Sequence, residues 1–178
     1  MKDKKHGGRP RLAPICNEMK LDFPSHSKNE SFARAAAGAF IASLDPTAPE
    51  LSDIKCALSE AVTNCTVHAY PDRIGIIRLQ IKLRTDGTVI ISVKDNGVGI
   101  SDIEKAREPL FTTDAAGERS GMGFTVMESF CDNIKVISKP NRGTTVTMTR
   151  KLSGKSALYP RDARILQYPQ INQCYTPH

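Results

Sequence analysis

Glu60-Ala61-Val62-Thr63-Asn64 lies inside a stretch, Thr47 to Ala69, that reads as one helix. Thr47-Ala48-Pro49-Glu50 opens that helix as a capping box, with proline in the first turn where its missing N–H is an orphan in any case. Tyr70-Pro71 stops it, because the residue before a proline is pushed out of helical geometry. Residues four apart share a helical face, so Glu60 and Asn64 point the same way and His68 continues the stripe. The opposite side, with Ile54, Leu58, Ala61 and Val62, has to be core. A polar stripe beside a core face is ordinarily a solvated surface, and His68 by itself reads as a rim or structural histidine. Alone, this piece decides nothing.

Two further pieces follow in a fixed order. Arg73 to Arg84 and Thr88 to Lys94 are rich in Ile and Val, and Thr85-Asp86-Gly87 between them has hairpin chemistry. Asp95-Asn96-Gly97-Val98-Gly99 then breaks the strand pattern. An acid at a strand end can accept a hydrogen bond from an exocyclic amine, and glycines let the backbone turn closely around a flat ring. Asp-x-Gly also occurs in ordinary turns. A polar loop from about Arg107 to Ser120 comes next, too long for an idle connection in a compact domain. It leads into Gly121-Met122-Gly123 and a helix from about Met122 to Phe130. Backbone N–H groups at a helix start, with no Cβ in the way, suit a phosphate. A hinge before a plain helix would carry the same residues.

Around these pieces the chain organises itself simply. Met19 to Phe23 alternates as a short strand, and Ser27-Lys28-Asn29-Glu30 is a second capping box, opening a helix that Pro46 ends. Strands near Ile134–Ser138 and Thr144–Leu152 close the domain. The expected partition is a disordered basic tail over 1–16, one domain over 17–152 and a second tail over 153–178. Helices between strand runs predict an α+β fold. The net charge of +6 over 178 residues sits in the ends: residues 1–20 and 150–178 together hold an excess of eight positive charges, leaving −2 on the body. A nucleic-acid module concentrates basic charge on a folded face, so no direct nucleic-acid role is expected. The five scattered cysteines form no Cys-x-x-Cys pair, which argues against a disulfide framework or a zinc site. No apolar run approaches the roughly 20 residues of a membrane span, no secretory leader is evident, and the expected location is the cytoplasm.

Together the three pieces resemble the N, G1 and G2 boxes of the GHKL (Bergerat) ATP-binding superfamily, which includes gyrase, Hsp90, histidine kinases and MutL. The resemblance covers roughly residues 17–152 and implies a two-layer sandwich, a mixed β-sheet with helices on one face. Thr144-Thr145-Val146, after Gly143, looks like the threonine element near the adenine in that fold. The Walker pattern Gly-x-x-x-x-Gly-Lys-Ser/Thr is absent. Four segments narrow the likeness to the SpoIIAB family of sporulation anti-sigma factors: Asn29–Arg34, Ser59–Asn64, Pro109–Thr113 and Glu118–Phe124. Members of that family bind and inhibit sigma factor F and phosphorylate a serine of the anti-anti-sigma factor SpoIIAA. The departures are Cys65 and Ala69, where small or apolar residues and glycine are usual, and two long tails.

The resemblance assigns roles, using ATP/ADP and Mg²⁺. Asp95 would take the adenine amine, with Gly97, Gly99 and Thr145 shaping the pocket. Asn64 would ligate Mg²⁺, while Gly121, Met122 and Gly123, with Thr112 and Thr113 of the lid, complete the nucleotide set. Arg119 would neutralise γ-phosphate charge and Glu60 would accept the proton of the substrate serine. The loop 107–120 would be a lid over ATP. Arg34, the only Lys or Arg between Lys28 and Lys55, matches the arginine that touches both protein partners. The first strand and the small-residue run Ala33 to Ala39 are expected to pair two subunits, although tight packing within one subunit would use the same residues. Three rivals stay open: a general-stress anti-sigma kinase of the same family, a sensor histidine-kinase domain, and a module that holds nucleotide without turnover. The 16 residues ahead of the first strand are too few for a phospho-acceptor helix pair, and Glu60, Asn64 and Arg119 argue for turnover.

Overall fold

The computed structural model describes residues 12–108 and 122–153. In chain order these form β1 (Ile15–Pro24), α1 (Lys28–Ile41), α2 (Ala48–Asn64), β2 (Ile76–Arg84), β3 (Thr88–Lys94), α3 (Ile103–Ala106), α4 (Gly123–Phe130), β4 (Asn133–Lys139) and β5 (Gly143–Lys151). The strands make one sheet in the order β1-β2-β3-β5-β4. The α+β, two-layer expectation holds. The sheet, expected to be mixed, is antiparallel at each of its four pairings. The cause is the path of the chain: β2 and β3, and β4 and β5, are joined as hairpins, and β5 returns between β3 and β4.

Period-two alternation builds the core. Ile77, Leu79, Ile81 and Leu83 of β2 are buried, as are Val89, Ile91 and Val93 of β3 and Val146 and Met148 of β5. Their strand neighbours face away from the helix layer, as alternation requires. Ile54, Leu58, Ala61 and Val62 of α2 cover this surface together with Ala33, Ala37 and Ile41 of α1 and Met127 of α4. The small residues of α1 thus divide: Ala33, Ala37 and Gly38 are packed inside the subunit, Ala36 is half-buried, and Ala35 and Ala39 are exposed. The hairpin at Thr85-Asp86-Gly87 forms, with Gly87 at φ +81 and the Asp86 carboxylate accepting from Thr88 N–H at 3.1 Å.

Two expectations, the start of the first strand and the first capping box, need correction. β1 begins at Ile15, where Thr85 N–H donates to Pro14 O at 3.0 Å, so the folded region reaches ahead of residue 17. The helix through Glu60 does run to Ala69, but its last turn, Cys65–Ala69, is a wider π turn. The Thr47–Glu50 capping box is present in both directions. The Ser27–Glu30 box is not: Ser27 has helical φ −55 and ψ −33 and makes no side-chain cap. No helix among the described residues is long and apolar enough to cross a membrane.

Candidate nucleotide site

Asp95 follows the last residue of β3, and its own N–H donates to Thr144 O at 2.9 Å, extending the β3–β5 ladder by one step. The side chain is 3% exposed. Oδ1 accepts from Gly97 N–H at 2.8 Å and from Thr144 N–H at 3.2 Å. Oδ2 accepts from the Cys65 thiol at 3.6 Å. A carboxylate offers about four acceptor directions, so Oδ2 keeps one for a ligand.

The loop beyond Asp95 is pressed against the π turn. A Cβ on Gly97 would lie 2.0 Å from Ala69 O, and Val98 N–H donates to that same carbonyl at 2.9 Å. Only glycine fits there. Gly99 adopts φ +72, and a Cβ on it would fall 2.2 Å from Lys139 O, so a side chain would be both strained and obstructed. Tyr70 fastens the loop further: its hydroxyl donates to Ile76 O at 2.8 Å and accepts from Asn96 N–H at 2.9 Å.

The second wall is where α2 meets the start of α4. A Cβ built on Gly123 would sit 3.1 Å from Glu60 Oε2 and 3.3 and 3.4 Å from the two amide atoms of Asn64. The (i, i+4) pair of α2 therefore converges on the backbone at the head of α4, as the helical stripe predicts. A carboxylate, a carboxamide and a Cβ-free backbone form one polar wall, and a buried carboxylate with one free acceptor forms the floor. That set fits a nucleotide with an exocyclic amine and phosphates. Another hollow, of about 280 Å³, is lined by Ala69–Arg73, Asn96–Val98 and Asn141. It shares Gly97 with the site, while Glu60, Asn64 and Asp95 are not among its lining residues.

The model of the histidine kinase-like ATPase domain matches residues 23–150. An anti-sigma F factor of Caldanaerobacter subterraneus is 54% identical over 134 residues, covering 75% of this chain and 93% of the relative. One from Geobacillus kaustophilus is 52% identical over 143 residues, covering 80% and 97%. The chain belongs to the anti-sigma F factor family. A solved structure of the RsbU and RsbW domains of a Mycobacterium tuberculosis protein superposes with TM-score 0.56 over 76% of this chain and 32% of that one, at 20% identity. That likeness concerns the fold alone.

Within this anti-sigma F family chain, the site residues expected from the sequence separate into three groups. Glu60, Asn64 and Gly123 meet at one wall, Asp95, Gly97 and Gly99 form the floor and its loop, and Met122 precedes the head of α4 at 40% exposure, without a side-chain cap. Arg119, Thr112, Thr113 and Gly121 lie outside the described residues. Thr145 needs correction. It pairs with Lys94 and Ile137 and shares their face of the sheet, away from the helix layer. Thr144 is the residue beside Asp95, buried, with its Oγ1 at 2.8 Å from Ser138 Oγ. A one-residue shift in strand phase moves a side chain to the other face.

Two contacts at Asp95, those of Thr144 and Cys65, are not assigned by the sequence. Thr144 was within reach, since the alternation of β5 with core residues Val146 and Met148 assigns it to the inner face. Cys65 was not, because nothing in a spacing of thirty residues signals its contact with Asp95. Arg34 stands outside this site. Its Nη1 lies 3.5 Å from Glu30 Oε1, and that oxygen accepts from Ser59 Oγ at 2.5 Å.

Proposed function

We propose that this protein is an anti-sigma factor that binds and inhibits sigma factor F and acts as an ATP-dependent serine kinase on its anti-anti-sigma partner. The observation carrying this reading is the convergence of Glu60 and Asn64 of α2 on Gly123 at the head of α4. Asp95 Oδ2 accepts the adenine amine, the Asn64 amide oxygen ligates Mg²⁺, and N–H groups around Gly121 and Gly123 hold phosphate. ATP with Mg²⁺ supplies the transferable phosphoryl group and neutralises its charge. Glu60 orients the incoming serine hydroxyl and takes its proton. Phosphoryl transfer relies mainly on positioning and charge, so one modest base suffices. Arg119 adds positive charge at the γ-phosphate, and Thr112 and Thr113 complete the nucleotide set. Two copies pair through β1 and the outward small residues of α1, and the protein works in the cytoplasm.

The test is transfer of labelled γ-phosphate to a serine of the anti-anti-sigma partner. Glu60→Gln should lower that rate by about two to four powers of ten, the usual share of a general base, with ATP affinity unchanged. Comparable rates in variant and parent would remove Glu60 from the mechanism. No transfer by the parent chain would remove the kinase reading.

A further inference from the structure

Between Asn64, which faces Gly123, and the carboxylate floor lies Cys65, the first residue of the π turn. We propose that Cys65 is a specificity-determining residue of the nucleotide site, its thiol donating to Asp95 Oδ2 so that the carboxylate presents a single oriented acceptor to the base. The inference rests on the reading of Asp95 as the group that takes the adenine amine.

Occupancy of the carboxylate carries the argument. Both acceptor directions of Oδ1 are filled by backbone N–H groups, at 2.8 and 3.2 Å. The thiol at 3.6 Å takes one direction of Oδ2. A single direction is left, and it is fixed because three donors hold the carboxylate plane. Burial of Cys65, then the neighbouring charge of Asp95 and the hydrogen bond to it, push the thiol pKa well above its ordinary 9.0. The sulfur therefore keeps its proton and acts as a donor rather than a second anion. Cys65 is 4% exposed and Asp95 3%, so the thiol also keeps water from beneath the carboxylate. The turn that places it is locked by Val98 N–H on Ala69 O and by Gly97 against the same carbonyl.

This arrangement favours a ligand that offers one N–H donor at that point. It disfavours one that offers a carbonyl oxygen, as guanine does, because two acceptors then face each other without a proton between them. A carboxylate held at Oδ1 alone would leave Oδ2 to water, and the ligand amine would have to displace that water.

Calorimetric titration with three ligands tests the idea: ATP, GTP and purine riboside triphosphate, which has the adenine ring without its amine. Cys65→Ala and Cys65→Val remove the donor, the first with a smaller and the second with a larger side chain, and Cys65→Ser keeps a donor. Removing the donor should weaken ATP binding roughly five- to ten-fold, the size of one ordinary hydrogen bond, and leave purine riboside triphosphate within about two-fold. Cys65→Ser should stay near the parent for all three ligands. Should the alanine variant not fold, serine against valine gives the same comparison. Equal loss for ATP and the amine-free analogue would mean packing alone, and the proposal would fall. Unchanged affinities would sink it too. A parent chain that does not prefer ATP over the analogue would overturn the Asp95 reading together with Cys65. A parental preference that survives intact in Cys65→Val overturns Cys65 only.

Discussion

Ser27-Lys28-Asn29-Glu30 and Thr47-Ala48-Pro49-Glu50 carry one signal, a hydroxyl followed three residues later by a glutamate, at the starts of α1 and α2. At α2 the signal forms a cap. Thr47 is extended, Glu50 Oε2 accepts from Thr47 N–H at 2.9 Å and from its hydroxyl at 2.8 Å, and Oε1 accepts from Ser153 N–H at 2.6 Å. At α1 the glutamate turns away from the helix start, accepting from Ser59 of α2 and pairing with Arg34 one turn on. The approach to α1 is pinned instead by Ser25, which exchanges hydrogen bonds with Gly75 at 2.9 and 3.0 Å. A capping box is a local competition, and a tertiary partner can win it. Glu50 ties together the start of α2 and the end of the domain, while Glu30 holds a surface arginine against the helix that carries Glu60.

The comparison predicts unequal consequences for equal-looking substitutions. Glu50→Ala should have the largest effect on stability, a loss of about 2–3 kcal/mol, because it removes the cap and leaves the Ser153 N–H without its charged acceptor. Urea unfolding measures this. Its pH dependence has a definite sign. The Ser153 N–H foremost, opposed by burial and assisted by Thr47, lowers the Glu50 pKa from 4.5 to about 2. The stabilisation is complete above pH 4.5 and is lost as pH falls through that window. Glu50→Gln should abolish that part of the acid slope. A variant with the parent's slope would show that Glu50 is not held this way in solution.

Arg34→Ala comes next and acts on a different quantity. The Arg34–Glu30 pair is partly solvated, with side-chain exposures of 46% and 22%, so folding stability should move by less than about 1 kcal/mol. Binding of the sigma factor should weaken by about 2 kcal/mol, a hot-spot amount, with ATP affinity unchanged. Parental affinity in the variant would place the partner surface elsewhere. Thr47→Ala is smaller again, about 1 kcal/mol of stability from one lost cap.

The sequence reading succeeded where one local rule governs. The Glu60/Asn64 face, the hairpin at Gly87 and the Asp95 loop follow from periodicity and turn chemistry, and they are where those rules put them. It failed where tertiary structure sets the phase or the partner. The resemblance points to the element Thr144-Thr145-Val146 as a whole, and only the phase of β5 against the core decides that Thr144, not Thr145, faces Asp95. The π turn at Cys65 to Ala69 carries no composition signal, and its role becomes visible only when Ala69 O meets Gly97 and Val98. The four residues of α3 are too few for any periodicity to register.

Ser27→Ala should have the smallest effect, and it is the most direct test of the comparison. A capping serine must be extended, so that its oxygen can reach the N–H groups of the first turn. Ser27 instead has helical φ and ψ, and the turn is already closed around it by Asn29 N–H on His26 O at 2.9 Å and Glu30 N–H on Ser27 O at 3.2 Å. Its hydroxyl makes no cap that alanine would lose. Asn29 contributes a bond of its own, its side-chain amide donating to Pro24 O at 2.8 Å, and the substitution leaves that intact. What remains is intrinsic propensity, which favours alanine over serine inside a helix by roughly 0.5 kcal/mol. Urea unfolding of Ser27→Ala should therefore match the parent or exceed it by a few tenths of a kcal/mol. The same substitution at Thr47 should lose about 1 kcal/mol. A loss at Ser27 as large as that at Thr47 would mean that both boxes form in solution. Glu30 would then be committed to its own helix start, and the Ser59–Glu30–Arg34 chain would no longer explain how Arg34 is held.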